Sequence, residues 1–557
     1  MDRIALIDLS KREVKIREPS EDERYFVGGK GLGFKILSDD LRRDLIVFAV
    51  GPLTGLRFSG LSRCEAVFIS PLTGFVANSS CGGFFGRELR RAGFLALILK
   101  GRSDRPVYVY VEDGSIEIRN AEWLWGKDTF ETEDLLKKEL GKVQVACIGP
   151  AGERQVRFAC IEHAKGREFG RCGGGAVLGA MNVKAIAVKG SMNLEDKIAD
   201  YERFCTLREN FEKRLEVLEG ISKYGTPKMI LLTNELGVLP TRYWQRGRFD
   251  PEIFDEVVGL YVKRKSCFAC KVGCGKISRF DGKEVEGPEY ETLFAFGSLC
   301  EVKDAKVIAE ANLLCDRLGL DTISTGNVVA FLFYLSKKGI IDERYEFGDG
   351  KAVIDLIRKI AFRDGIGDLL AEGVRRLAER LGVEGIHVKG LEPPGYDPRG
   401  LMGVALGYAV SYRGACHIKH CIYRPNLSGG LDRFKPDKQA ETLVRLENFY
   451  GFTDCLIICR FLTLPEIGPL HEKDVVELYN VVTGRSMSVE EILNVGKEVI
   501  NLARSINIRL GLRRKDDYLP EFFFKVPTEN GVVDRKAFES MLDEYYKLRG
   551  WRLRYES

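Results

Sequence analysis

The apolar pattern of this chain changes period near Glu195, and no other feature restricts its fold as much. Before that point apolar residues come in short alternating or continuous runs bounded by turn residues. These cover residues 4–9 and 13–16 about Ser10-Lys11-Arg12, then 45–50, 65–70, 96–100, 107–112 with 115–119 about Asp113-Gly114, 143–148 and 184–189. Runs of this length read as strands, and Asp-Gly is a hairpin signal. From Ile198 onward the spacing is helical, over 201–218, 305–318, 325–338, 351–362, 366–381, 437–450, 475–482 and 489–504. We therefore expect an α+β fold. A β-rich N-terminal domain over residues 1–195 is followed by two predominantly α-helical domains over 196–392 and 393–557, parted at Pro393-Pro394-Gly395.

Two stretches in the β-rich part echo each other, Gly51-Pro52-Leu53-Thr54-Gly55 and Ser70-Pro71-Leu72-Thr73-Gly74. This fits an internally duplicated β layer, although a turn sequence can recur without duplication. Two glycine-rich loops, Cys81-Gly82-Gly83-Phe84-Phe85-Gly86 and Gly170-Arg171-Cys172-Gly173-Gly174-Gly175, would let the backbone approach a ligand closely. A third glycine run, Gly29-Lys30-Gly31, lacks the Walker spacing, and we reject nucleotide binding there. The 85 basic and 81 acidic residues leave a net charge of +4 with no basic block, so nucleic acid is not an expected partner. No apolar run approaches the ~18 residues of a membrane helix. Met1-Asp2-Arg3 leads straight into a strand pattern rather than a signal peptide, so the expectation is a soluble, cytoplasmic protein with no membrane contact.

Fifteen cysteines accompany only five histidines. In a cytoplasmic chain such thiols are metal ligands or buried hydrophobes rather than a disulfide framework. The sharpest local pattern is Cys267-Phe268-Ala269-Cys270-Lys271-Val272-Gly273-Cys274, a C-x2-C-x3-C run that can place three thiolates on one small metal unit. Structural zinc would want a second C-x2-C knuckle, which is missing. A tight run of three plus one distant thiolate suits a four-iron cluster, with Cys455 and Cys459 as candidates for the fourth. Radical enzymes using S-adenosylmethionine carry the reverse spacing. Incidental clustering in a cysteine-rich chain is the bland alternative.

Asp316-Arg317-Leu318-Gly319-Leu320-Asp321 reads by itself as a helix end with a left-handed glycine cap. A second aspartate, Asp454, precedes Cys459 by the same five residues that separate Asp316 from Asp321. A carboxylate can accept two parallel N–H bonds from an aminopyrimidine edge, so a pair of such aspartates suits two pterins. With the cysteine run upstream, these segments resemble the aldehyde:ferredoxin oxidoreductase family, tungsten enzymes with a bis-pterin cofactor and one four-iron cluster. The likeness continues, in family order, through Pro71-Leu72-Thr73-Gly74, Gly82-Gly83-Phe84-Phe85-Gly86, Gly149-Pro150-Ala151-Gly152-Glu153, Glu286-Gly287-Pro288-Glu289-Tyr290-Glu291-Thr292, Asp397-Pro398-Arg399-Gly400 and Arg413-Gly414-Ala415-Cys416-His417. In that family the β-rich domain forms a base under the cofactor and two α-rich domains close over it.

The resemblance implies that Cys267, Cys270, Cys274 and Cys459 hold a [4Fe-4S] cluster. Asp316, Leu320 and Asp321 would contact one pterin, and Asp454 and Ile458 the other. Arg63 and Lys419 match positions that bind phosphate or pterin, and Gly82 lies in the phosphate-side loop. A magnesium ion bridging the two phosphates would take Ser80 where the family has asparagine, with Asn78 two residues earlier and a backbone carbonyl near Phe169. Glu291 and His417 match an acid–base pair at the metal, and Tyr396 a tyrosine found there in some members. Without that match His417 would read as a structural histidine. Glu289 is the rival of Glu291 and reads as exposed or structural, His420 matches no motif, and Cys81, Cys172, Cys416 and Cys421 read as packing residues.

The implied function is oxidation of an aldehyde with water to a carboxylic acid, with electrons passing through a tungsten (or molybdenum) bis-pterin and the cluster to ferredoxin. Implied assemblies are a monomer, a homodimer or a complex with a small iron–sulfur subunit. The alternative on the same scaffold is the catalytic subunit of a tungsten-dependent reductase complex of the benzoyl-CoA reductase type. A third reading, a cofactor-free scaffold protein, sits poorly with four cluster thiols and both pterin aspartates.

Overall fold

The computed structural model describes residues 2–551. Its N-terminal part is built twice on one plan. The first sheet comprises β1 (Arg3–Asp8), β2 (Glu13–Arg17), β3 (Leu45–Ala49), β4 (Cys64–Ile69), β5 (Val76–Cys81) and β6 (Phe94–Lys100), in the order β2-β1-β6-β3-β4-β5. The second comprises β7 (Val107–Glu112), β8 (Ser115–Asn120), β9 (Gln144–Cys147), β10 (Ile161–His163), β11 (Arg167–Phe169) and β12 (Val183–Lys189), in the order β8-β7-β12-β9-β10-β11. In each half a hairpin lies parallel to the last strand of that half (β1 with β6, β7 with β12). That last strand then pairs antiparallel with the third, from which two more antiparallel strands continue.

The duplication expected from the sequence is therefore present, but the two Pro-Leu-Thr-Gly turns are not its copies. Both lie in the first half, one after β3 and one between β4 and β5. By position, the counterpart of Gly51-Pro52 is Gly149-Pro150, directly after β9. Strand β5 escaped the sequence pattern because Asn78-Ser79-Ser80 put polar side chains in its interior. Its pairing with β4 sets Glu65 opposite Ser80 and Val67 opposite Asn78.

Beyond β12 the chain is largely helical, with one departure. Tyr261–Lys265 (β13), Gly275–Phe280 (β14) and Lys283–Glu286 (β15) form a small antiparallel sheet that carries the cysteine run in the β13–β14 loop. The expected helix over 366–381 is two helices, Ile366–Leu370 and Val374–Leu381, because Gly373 at φ 84° breaks the path between them. The expected helix over 201–218 gives way to a 3-10 segment from Arg214. The helix Gln439–Leu456, extending past the expected end at Tyr450, crosses the helix Val489–Arg509 so closely that a Cβ on Gly451 would stand 2.4 Å from Gly496 O. A helix the pattern did not mark, Arg535–Arg549, ties back through Tyr545, whose hydroxyl donates to Glu447 at 2.7 Å. None of the described helices is long and apolar enough to cross a membrane.

Candidate active site

Two adjoining cavities gather most of the expected site residues. The smaller, about 220 Å³, is lined by all four expected cluster thiols, Cys267, Cys270, Cys274 and Cys459, together with Arg63, Ser80, Gly82 and Glu168. The larger, about 510 Å³, is lined by Glu291, Tyr396, His417, Lys419, Asp454 and Ile458. Arg63, Ser80, Glu289, Cys459 and Phe461 line both, so the thiol cavity and the acid–base cavity share a wall. Cys455, the other candidate for the fourth thiol, is buried away from both, with its Sγ donating to Gly451 O at 3.1 Å.

The donor set fits an iron–sulfur cluster. Four thiols surround one void, the Gly83 N–H points at Cys267 Sγ from 3.2 Å, and a Cβ on Gly82 would lie 2.9 Å from that sulfur. N–H donors toward thiolate sulfur stabilise its negative charge. Burial pushes up the Cys270 and Cys274 thiols, as expected for ligands whose countercharge is a metal.

Glu291 sits in the short helix Tyr290–Thr292, which runs on as a π-helical stretch, Leu293–Ser298. Its Oε2 accepts from the Gly395 N–H at 3.0 Å, while the Tyr290 hydroxyl donates to Gly395 O, so the Pro393–Tyr396 segment is clamped from two sides. Glu291 Oε1 lies 3.5 Å from His417 Nε2. That oxygen and His417 Nδ1 are buried without hydrogen-bond partners. Desolvation pushes the Glu291 carboxyl up to about 8 and the His417 imidazole well below its usual value, with Arg171 and Arg413 adding to the latter. Tyr396 stacks on Tyr423 at 4.4 Å and lies 5.4 Å from the His417 ring, closing one side with aromatic surface.

The two aspartates of the pterin pattern occupy opposite electrostatic settings. Asp454 is saturated by cations: Oδ2 takes Lys30 Nζ at 2.9 Å, Oδ1 takes Arg460 Nη2 at 2.5 Å, and Lys419 Nζ stands 3.8 Å away. Despite burial, Arg460, Lys30 and Lys419 hold its carboxyl well below the usual range, and burial lowers Lys419 to about 8. Asp316 instead lies among acids. Its carboxylate and those of Glu162 and Glu168 offer oxygens all within 4.8 Å of one another, and Glu162 Oε2 has no partner. Burial and these neighbours push Asp316 well up. This fits a bound group rich in N–H donors.

Asp321 caps the helix Thr322–Lys337 through the Ile323 N–H at 3.1 Å and meets Arg171 Nε at 3.2 Å, while Leu320 is buried against Ala159. Gly319 adopts the left-handed cap, φ 77°, so the helix-end reading of this segment also holds. Ser80 Oγ accepts from Arg63 Nε at 2.9 Å, and its carbonyl from Arg63 Nη2 at 2.6 Å. Asn78 is engaged elsewhere, donating to Glu65 at 2.7 Å and accepting from Tyr412 at 2.6 Å, which leaves Ser80 as the side chain facing the cavities. Glu289, expected to be exposed or structural, accepts from Thr226 and lines the shared wall. His420 is fully buried with its imidazole pushed down to about 3, and lies outside both cavities.

Sequence reasoning missed Lys30, Arg460 and Arg171. The signal for Lys30 was present in Gly29-Lys30-Gly31. These residues open the helix Gly29–Asp39 against the Asp454 segment, where a Cβ on Gly29 would meet Asp454 O at 2.3 Å. The glycines permit helix contact rather than phosphate binding.

The chain is similar to known proteins along nearly its whole length. The family model described as aldehyde ferredoxin oxidoreductase, N-terminal domain, matches residues 4–190, and that of domains 2 and 3 of the same family matches residues 205–554. The chain is 37% identical to the tungsten-containing aldehyde ferredoxin oxidoreductase of Pyrococcus furiosus, covering 99% of this chain and 96% of that protein. It is 37% identical, with the same coverage, to the protein of the same name from Thermococcus kodakarensis. Among solved structures, the active site complex BamBC of benzoyl coenzyme A reductase matches with a TM-score of 0.85 at 24% identity over 99% of this chain and 94% of that one, a likeness of fold. The chain belongs to the aldehyde ferredoxin oxidoreductase family.

Proposed function

We propose that this chain is a tungsten-pterin oxidoreductase that converts an aldehyde and water into a carboxylic acid and delivers the electrons to ferredoxin. The observation that carries the reading is the shared wall between the Glu291–His417 cavity and the four-thiol cavity. The reaction RCHO + H2O → RCOOH + 2 H+ + 2 e− needs a proton acceptor beside the carbonyl and an exit for single electrons. When bound, the tungsten-pterin group supplies the two-electron oxidation and the iron–sulfur cluster the one-electron outlet.

The chain's own residues handle the protons and the substrate. Glu291, raised to about 8, keeps a proton through neutral pH, and its ionised fraction accepts one from water. His417 stays neutral, so one ring nitrogen donates and the other accepts, which suits it to orient a carbonyl oxygen beside Glu291. Tyr396 and Tyr423 exclude water from that side. Cys267, Cys270, Cys274 and Cys459 would hold the cluster. Asp316 with Glu168, and Lys419 with Asp454, would flank the two pterins, and Ser80 with Arg63 the phosphates and their magnesium.

The test is metal analysis and turnover of anaerobically purified protein. We expect tungsten and about four irons per chain, with aldehyde-dependent reduction of ferredoxin and one oxygen of the carboxylate drawn from labelled water. Tungsten- and iron-loaded protein that reduces ferredoxin with none of a panel of aliphatic and aromatic aldehydes would overturn the reading, and molybdenum in place of tungsten would revise the metal alone.

A further inference from the structure

Five basic side chains line the 510 Å³ cavity: Arg63, Lys228, Lys419, Arg424 and Arg460. Four are engaged. Arg63 holds Ser80, Lys419 and Arg460 face Asp454, and Lys228 lies over the Tyr224 ring at 5.6 Å. Arg424 is different: its Nε is buried without a hydrogen-bond partner, and among the described residues its guanidinium forms no ion pair. A buried N–H donor left unpaired is costly, so a partner that completes it on binding gains affinity from doing so. The Nε edge of a guanidinium is also the edge that grips an oxyanion with two parallel bonds.

Position narrows the partner. Arg424 directly follows Tyr423, the ring that stacks on Tyr396 beside His417, and lines the same cavity as Glu291 and those three residues. Lys419, five residues earlier and beside a pterin on the reading above, faces Asp454, whereas among the described residues no carboxylate pairs with Arg424. The same cavity also carries aliphatic lining from Val217, Ile221, Met229, Leu232, Leu464 and Ile467. Val217 keeps 60% of its surface exposed at the rim.

We propose that the site selects aldehydes with an apolar body and an oxyanion, a carboxylate or sulfonate, held by Arg424. The proposal rests on the aldehyde-oxidising reading of the same cavity. The aldehyde carbon would sit at Glu291 and His417, the body against the aliphatic lining, and the anion on the guanidinium. Arg424 acts in positioning and takes no part in the chemistry.

The test compares matched pairs on the tungsten-loaded enzyme: benzaldehyde with 4-formylbenzoate and 4-formylbenzenesulfonate, and hexanal with 6-oxohexanoate. We expect kcat/KM to favour the anionic member by about tenfold or more, the difference lying in KM. In Arg424→Gln the anionic-to-neutral ratio should fall to about one, and Arg424→Lys should restore part of it. Calorimetry supplies a readout independent of turnover: terephthalate should bind wild type more tightly than benzoate, and Arg424→Gln should remove the difference. Equal use of neutral and anionic aldehydes by wild type, or an unchanged ratio in Arg424→Gln, overturns the proposal. Loss of tungsten from that variant also overturns it, because Arg424 would then serve the cofactor. If no aldehyde is oxidised, the broader functional reading fails and the calorimetric comparison alone decides whether this cavity holds an anion.

Discussion

Glu162 on β10 and Glu168 on β11 are direct register partners, two carboxylates facing each other inside the protein. Like charges directly opposite one another in a ladder are destabilising. Burial, and then Glu168, push Glu162 well above the ordinary carboxylate range. A group whose folded pKa is raised contributes its stability at low pH and loses it as pH rises through that value. Glu162→Gln keeps an acceptor for the Gly166 N–H and removes the charge. The apoprotein variant should match wild type near pH 4 and exceed it in denaturant midpoint near pH 8. A gain independent of pH would mean that another group already neutralises the pair.

Asp454 is the hub of a buried cation cluster, and removing its charge exposes what it balances. Lys30 is fully buried, Lys419 nearly so, and Arg460 partly buried. Breaking a buried ion pair from one side costs about 3–5 kcal/mol because the other charge is left uncompensated. Asp454→Asn should therefore destabilise the protein by that order at neutral pH. The Asp454 carboxyl is depressed, so its contribution is present above the ordinary carboxylate range and fades as pH falls. The gap between variant and wild type should accordingly narrow on acidification. Equal denaturant midpoints at pH 7 would show that the cations are solvated by other means.

Gly82 tests the thiol cavity without touching a thiol. Its added Cβ would stand 2.9 Å from Cys267 Sγ and 3.4 Å from Arg63 Nη1. Gly82→Ala should lower iron per chain, because Cys267 Sγ must move from the cavity position in which it would hold a cluster. Gly259→Ala, where nothing lies within 4 Å, should keep the full complement. Iron content that is the same in both variants would separate Gly82 from the cluster.

How far the sequence could be read depends on whether a feature is local. The period change at Glu195 fixed the order of β-rich and helical parts, and the C-x2-C-x3-C run named three thiols that line one cavity. Gly319 marked its helix end because the αL conformation is a property of that position. Three features were illegible for a physical reason. The Lys30–Asp454 pair spans 424 residues and appears only when two helices meet. Arg171 reaches Asp321, Ala415 O and Glu392 O, three points with no common pattern in the chain. Strand β5 carries Asn78-Ser79-Ser80 because its side chains serve Glu65, Tyr412 and Arg63, so the polar residues that hid the strand include Ser80, which lines both cavities.

The Glu291–His417 pair yields the last prediction. Two ionisable groups 3.5 Å apart would normally stabilise each other's charges, the carboxylate lowered and the imidazolium raised. Here burial outweighs that attraction for both: Glu291 rises to about 8 and His417 falls well below its usual value. The resting pair is therefore a carboxylic acid beside a neutral imidazole. If the ionised carboxylate is the form that accepts a proton, kcat/KM should climb with pH to a plateau above an apparent pKa near 8, with no histidine-dependent limb in the neutral range. Glu291→Gln should lower kcat/KM by about 10²–10⁴-fold and abolish the climb. It should leave tungsten and iron content intact, since Glu291 contacts neither the cluster thiols nor the cations around Asp454. A profile that is flat between about pH 6 and pH 9 in wild type would move the proton-accepting role elsewhere on the shared wall, where Glu289 is the nearest carboxylate in sequence.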